Sequence, residues 1–254
     1  MKISIITICY NNEKDIRSTI ESVISQTYSN IEYIIIDGAS KDKTLDIANE
    51  YQENISKIIS EPDKGLYDAI NKGIKAATGD IVGLIHAGDC LHDNNVIEKI
   101  VNNFQTNNID ISYGNSKIVN DKNRPVRINI SPEFKRSLVK KGWMPSHQSI
   151  YVRRELFDKY GYYNLDLHPS SDYEWFLRYF YFNTPRIKRL NEFIIRFSMG
   201  GISTKSYTSR LKTESKNQIK ECWILNGENP PRGIVYFKLI RKIQQFLLAI
   251  FINK

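Results

Sequence analysis

Four short apolar runs punctuate the first ninety residues, each followed by a polar turn. Ile3 to Cys9, Ile31 to Ile36, Ile55 to Ser60 and Ile81 to Ile85 are rich in isoleucine and bounded by polar residues. Runs of this length and branching suit strands buried on both faces, as in a parallel sheet. Between them, Ile16, Ile20, Val23 and Ile24 fall on one helical face of the segment Asn11 to Gln26, and Leu45, Ile47 and Ala48 mark a second helix. Leu66 to Ala77, flanked by Gly65 and Gly79, reads as a third. This alternation predicts an open α/β sheet with a ligand cleft outside the carboxyl ends of its strands. The stretch Ser60 to Asp89 is its centre: a polar turn, a helix, a tight turn and an apolar strand running into the carboxylate of Asp89.

Beyond it, Val96 to Phe104 is an amphipathic helix and Ile109 to Val119 a strand. From Asn120 to Lys141 the pattern weakens, with Arg124-Pro125 and Ser131-Pro132 as breaks, and loops around a short helix are expected. Ser146 to Val152 reads as a strand, and Arg154 to Tyr160 as a helix stopped by Gly161. Ser171 to Arg178 reads as a helix that Ser170 or Ser171 can cap, and Ile194 to Phe197 as a strand. A chain of 254 residues suffices for one sizeable core.

The net charge of +8 favours an anionic partner, such as a nucleoside diphosphate, nucleic acid or an anionic membrane. It is unevenly placed: residues 1–100 hold 10 Lys+Arg against 16 Asp+Glu, and residues 101–254 hold 26 against 12. The three cysteines, Cys9, Cys90 and Cys222, are far apart and fit no metal or disulfide spacing, which suits a reducing, cytoplasmic compartment. The apolar N-terminus is too short for a secretory signal, and no run reaches the ~18 apolar residues of a spanning helix.

Several residues invite chemistry, each with a plainer alternative. Asp37, at the end of the second run, can accept from a base imide or a ribose hydroxyl, or serve only the turn into the next helix. Asp89 can hold a divalent ion on diphosphate oxygens, or simply cap the next helix. Asp172 and Glu174, two positions apart, cannot share a helical face, so at most one points into a cleft and the other is solvated or paired with a nearby arginine. Neither a G-x-G-x-x-G turn after the first strand nor a P-loop exists, which disfavours dehydrogenases and P-loop NTPases.

Taken in order, these motifs resemble the family 2 glycosyltransferases over residues 1–205. They are Ser4 to Asn11, Asp37 to Thr44, Ser60 to Gly65, Asn71-Lys72-Gly73, Ala77 to Asp80, the Asp89 turn, Ser146-His147-Gln148, Ser171 to Glu174 and Gly200 to Ser203. The resemblance implies a GT-A fold: a Rossmann-like, mostly parallel sheet flanked by helices. Residues 1–119 would bind the nucleotide sugar and 120–205 the acceptor, with 206–254 a helical extension. It assigns Thr7, Tyr10, Asn11 and Asp37 to the nucleotide, and Asp63, Lys64 and Gly65 to the nucleotide and sugar. His86 and Gly88 then belong to the donor site, and Asp89 to Mn²⁺ or Mg²⁺. Where relatives often carry further carboxylates, this chain has Ala87 and Gly88. Asp172 becomes the base of an inverting transfer, with Glu174 as runner-up.

The implied function is transfer from a UDP-sugar to a glycan hydroxyl, on a polyprenyl-diphosphate-linked acceptor of a bacterial surface polysaccharide such as O-antigen or capsule. Ile234 to Lys254, apolar with Lys238, Arg241 and Lys242 near one end, reads either as an interfacial helix on anionic lipid at the inner face of the cytoplasmic membrane or as a packing or homodimer helix. A nucleotidyltransferase would need a glycine-rich basic loop where Thr7 to Asn12 stands, and an acidic first hundred residues argue against nucleic acid. A non-catalytic nucleotide-sugar-binding module is the remaining alternative.

Overall fold

The computed structural model describes residues 1–199 and 209–252; the Gly200 to Ser203 motif lies outside them. The expected strands form: β1 (Ile3–Cys9), β2 (Ile31–Asp37), β3 (Lys57–Ser60) and β4 (Ile81–Leu84) pair in parallel in the order β3-β2-β1-β4. α1 (Ile16–Ile24), α2 (Thr44–Asn49) and α3 (Leu66–Ala76) connect them. Alternation along β1 splits the core in two. Ile3, Ile5 and Cys9 pack with Ile16, Ile20 and Val23 of α1, while Ile6 and Ile8 pack with Tyr67, Ile70 and Ile74 of α3. α3 lies tight on the sheet because residue 73 is glycine: a Cβ there would stand 2.4 Å from Ile6 Cγ2.

After β4 come the two-residue β5 (Cys90–Leu91), α4 (Val96–Asn107) and the long β6 (Ile111–Val119). The weakly patterned region holds β7 (Pro125–Asn129) and α5 (Arg136–Lys140). Pro125 starts β7 rather than breaking the chain, a strand position that needs no ladder donor. Residues 147–149, expected in a strand, form a 3₁₀ turn before β8 (Ile150–Arg153). α6 (Glu155–Tyr160) ends at Gly161 (φ 87°), and α7 (Ser171–Leu177) runs on through a wider π turn. Neither Ser170 nor Ser171 caps α7 through its side chain.

β9 (Ile187–Ser198) starts well before Ile194, because Lys188, Arg189, Asn191 and Glu192 disguise its first half. β8 joins β4 and β6 antiparallel, and β6 pairs parallel with β9, completing a nine-stranded mixed sheet. α8 (Ser209–Leu225) and α9 (Ile234–Ile252) share this core through Ile219, Cys222, Trp223 and Ile234. The three cysteines are free and buried.

Candidate active site

The parallel register lines up the ends of three strands: Cys9 sits opposite Asp37, and Asp37 opposite Ser60. The loops beyond them are laced together. Asn11, with φ 50°, gives its backbone N–H to Ser40 Oγ (2.9 Å) and takes the Lys41 N–H on Oδ1 (2.8 Å). This lacing occupies residues 11–15, so α1 begins at Ile16 rather than Asn11.

Tyr10 projects from the same loop, 59% exposed, with Cδ2 close to Gly38. Asp63 lies against Gly38 and accepts the Gly65 N–H (2.8 Å), and the exposed Lys64 gives its N–H to Asp68 (3.0 Å). Gly65, at φ 111°, starts α3. Tyr10, Asn11, Asp63, Lys64 and Gly65 therefore gather at the carboxyl edge.

Two other nucleotide candidates sit deeper. Thr7 is wholly buried with its hydroxyl on Tyr33 Oη (3.0 Å). Asp37 is equally buried, and its carboxylate accepts the Ser40 N–H (3.0 Å), the Ser40 hydroxyl and the Ser60 hydroxyl (2.6 Å). Of the two sequence readings of Asp37, the turn-shaping one describes these contacts.

The segment His86 to Asp89 follows β4 as a compact turn in which the Asp89 N–H bonds the His86 carbonyl (3.0 Å). Gly88 holds φ 97°, a conformation other residues resist. Two side chains clamp the turn. Thr19 of α1 accepts the Gly88 N–H (2.9 Å) and donates to the Asp89 carbonyl (2.8 Å); Gln148 accepts the His86 N–H (2.7 Å) and donates to Asp89 Oδ2 (2.7 Å). Oδ1 of Asp89 receives the Ser198 N–H at 3.3 Å.

Burial pushes the Asp89 carboxyl up to about 7, with the hydrogen bonds from Gln148 and Ser198 opposing it and the charge of Asp15 adding to it. No group of three potential metal ligands exists among the described residues. A desolvated carboxylate with no ion-pair partner among them nevertheless fits one protein contact to a hard divalent ion whose other ligands are diphosphate oxygens and water. His86 and His147, neighbours at 6.1 Å, are held neutral: burial lowers them to about 3 and about 4, and His147 adds to the drop at His86. His86 Nδ1 is buried with no hydrogen-bond partner among the described residues.

Asp172 stands in the first turn of α7, its Oδ1 accepting from the Tyr173 N–H (2.8 Å) and the Tyr67 hydroxyl (3.4 Å). Burial raises its pKa, while Lys238 of α9 pulls it back. Glu174 points elsewhere, into a bidentate pair with Arg178 (2.8 and 2.9 Å), as the helical spacing requires. A chain of contacts runs between the two aspartates: Asp89 to Gln148, its backbone neighbour His147 to the Tyr163 hydroxyl, and Tyr163 stacked on Tyr67, whose hydroxyl donates to the Pro169 carbonyl (2.9 Å) and lies 3.4 Å from Asp172. Asn71 anchors its middle through reciprocal bonds with the Tyr163 backbone (2.9 and 3.0 Å).

The sequence reading missed Thr19 and Tyr67, and quoted Gln148 without a role. Lys238, counted there among the basic residues for a lipid surface, instead turns inward onto the Tyr173 ring. Thr19 leaves a faint signal, a polar residue beside Ile20 on the buried face of α1; Tyr67 leaves none.

The sequence model described as "Glycosyl transferase family 2" matches residues 4–210. A "PGL/p-HBAD biosynthesis glycosyltransferase" of Mycobacterium tuberculosis is 31% identical over 165 residues, 63% of this chain and 62% of the relative. The alignment thus spans less than two thirds of that relative. An uncharacterized glycosyltransferase of the same species is 32% identical over 182 residues, 69% of this chain and 68% of the relative.

Among solved structures, Staphylococcus aureus TarS 1–349 superimposes with a TM-score of 0.71 at 18% identity, covering 96% of this chain and 72% of that one. TarS 1–349 was also solved with UDP-GlcNAc. The mannosyltransferase PcManGT of Pyrobaculum calidifontis, solved with GDP-Man and Mn²⁺, gives 0.66 at 15% identity, covering 98% and 73%. These likenesses establish the GT-A architecture.

Proposed function

We propose, from the premise that the chain belongs to glycosyl transferase family 2, that it is an inverting glycosyltransferase passing a sugar from a nucleotide sugar, a UDP-sugar first, to a hydroxyl of a glycan acceptor. The observation that carries this is a chain of contacts running from Asp89 through Gln148, its neighbour His147, Tyr163 and Tyr67 to the surroundings of Asp172, with the crossed loops of Tyr10, Asn11 and Asp63 beyond the strand ends.

In this reading Tyr10, Asn11, Asp63, Lys64 and Gly65 hold the nucleotide and sugar, with Asp37 and Thr7 supporting their loops from below. His86 and Gly88 border the diphosphate. Asp89 would hold Mn²⁺ or Mg²⁺, which when bound neutralises charge on the departing diphosphate. Asp172 takes the acceptor hydroxyl's proton as that oxygen attacks the anomeric carbon from the face opposite the leaving group. The bond to the diphosphate breaks, and the nucleoside diphosphate leaves with the electron pair.

The test is incubation with UDP-GlcNAc, UDP-glucose and GDP-mannose, with and without Mn²⁺. Metal-stimulated release of nucleoside diphosphate is expected. Binding without release from any of them would favour a non-catalytic binding module. Asp172→Asn should lower turnover by about 10²–10⁴-fold while donor binding stays within a few-fold; retained turnover removes Asp172 from the role.

The acceptor is proposed to be lipid-linked, and α9 to meet the membrane. Its exposed face carries Tyr236, Leu239, Ile243, Leu247 and Ile250, while Lys238 and Gln245 turn toward the protein. That is inside-out for a soluble helix, and an apolar face beside a basic half of the chain suits anionic lipid. No helix among the described residues is long and apolar enough to cross a membrane. In vesicle flotation, I243Q/L247Q should abolish binding to phosphatidylglycerol vesicles; equal flotation, or loss of a dimer instead, would count against the lipid face.

A further inference from the structure

The buried side of α9 raises a separate question, because a helix with an apolar exterior sends a lysine inward. Lys238 lies one turn into the helix, after the buried Ile234. Its approach depends on Gly142, at φ 69°, where a Cβ would stand 2.7 Å from Lys238 Cγ and 3.0 Å from the Ile234 carbonyl. The ammonium rests 3.8 Å from the centroid of the Tyr173 ring. That ring is itself fixed: Tyr173 is buried, and its hydroxyl receives the Trp223 indole N–H of α8 (3.0 Å). Asp172 is the residue before Tyr173.

A lysine among aromatic rings, making no ion pair within 4 Å among the described residues, needs compensation. The ring face supplies part of it, and a carboxylate nearby supplies the rest. The groups coupled to Asp172 are Tyr67 of α3, Tyr163, Cys222 of α8 and Lys238, and Lys238 is the cation among them. The coupling is reciprocal: burial pushes Lys238 down and Asp172 up, and each draws the other back.

We propose that Lys238 is a positioning residue whose ammonium is the counter-charge of Asp172, so that α9 completes the acceptor-activating site. α9 lies outside the segment that the family model matches, residues 4–210. The proposal rests on the reading of Asp172 as the acceptor's base. It also gives α9 two faces with two tasks, lipid outside and charge inside.

The experiment is titration of the Asp172 carboxyl by carbon-13 NMR in the full chain, with the signal assigned through D172N. Removing the cation in K238M should raise the Asp172 midpoint by about 1 pH unit or more. K238R should keep it near wild type, because the charge is retained. The acid limb of the pH profile for UDP-GlcNAc turnover should move upward with it, since the base must be ionised to act. K238Q gives the same comparison if K238M does not fold. An unmoved Asp172 midpoint in the folded variant overturns the proposal, even if D172N is inactive. A raised midpoint beside an active D172N upholds the counter-charge and discards the base.

Discussion

The two ends of the parallel sheet each carry a buried or half-buried carboxylate, and they are treated oppositely. At the amino end, Glu32 accepts from Ser4 Oγ (2.6 Å), the Thr78 N–H (2.7 Å) and hydroxyl (2.6 Å), and Lys2 Nζ (2.9 Å). Burial opposes its charge, yet these donors hold its pKa down to about 2. At the carboxyl end, Asp89 has one side-chain donor and one longer backbone N–H, and burial wins, pushing it up to about 7. A carboxylate given four donors is a structural knot. One given two, with no ion-pair partner among the described residues, holds its proton more readily and would be ionised by a positive partner. The difference separates motif residues that make the fold from those available to a ligand.

The largest effect that would break this comparison is loss of function at Asp89. Asp89→Ala should lower metal-stimulated donor turnover by about 10³-fold and abolish the stabilisation that Mn²⁺ with UDP gives in thermal melts. The fold should survive, because its hydrogen bonds to Asp89 are few. A variant that keeps metal-dependent stabilisation would place the ion elsewhere.

Glu32→Gln should do the reverse, leaving nucleotide binding alone and lowering stability by about 3 kcal/mol. The sign follows from the depressed pKa. Stability from Glu32 is fully present above its ordinary value near 4.5 and drains away as pH falls toward about 2. Wild type should therefore lose stability across that window, and Glu32→Gln should lose visibly less. Equal acid sensitivity by denaturant melts at pH 5 and pH 3 would show that the knot is not the cause.

Much of this was legible in the chain. Isoleucine runs of five to seven residues specify buried strands, so the parallel strands β1 to β4 are legible, while their order and the close approaches at Gly73 and Gly79 emerge only in the structure. The helical spacing of Asp172 and Glu174 correctly puts them on different faces, with Glu174 on an arginine. The mixed half was not legible, because its pairings are long-range: the first half of β9 is largely charged and polar, and β7 opens on a proline. Donor lists are equally invisible. Asp37, Asp89 and Glu32 look alike as acidic residues, and their fates depend on donors such as Ser60, Gln148 and Ser4, up to 59 positions away. Lys238 reaches the Tyr173 ring only through the docking of α9.

The finest test uses two hydroxyls with matching geometry. Ser4 accepts the Gly79 N–H (2.9 Å) while donating to Glu32; Thr19 accepts the Gly88 N–H (2.9 Å) while donating to the Asp89 carbonyl. Both are wholly buried, and each holds a glycine turn through one accepted bond. Ser4→Ala and Thr19→Val should thus cost similar stability, about 1–2 kcal/mol each. Their functional consequences should diverge. Ser4→Ala removes a donor from a carboxylate that keeps three others, far from the ligand edge, so apparent Mn²⁺ affinity in the presence of UDP should not change. Thr19→Val frees the turn that aims Asp89, and apparent Mn²⁺ affinity should weaken several-fold at nearly equal thermal stability. Titration of Mn²⁺ by electron paramagnetic resonance reads this directly. Equal affinities in the two variants would mean that Gln148 alone sets the carboxylate's aim, and that only the side-chain half of the clamp matters to the site.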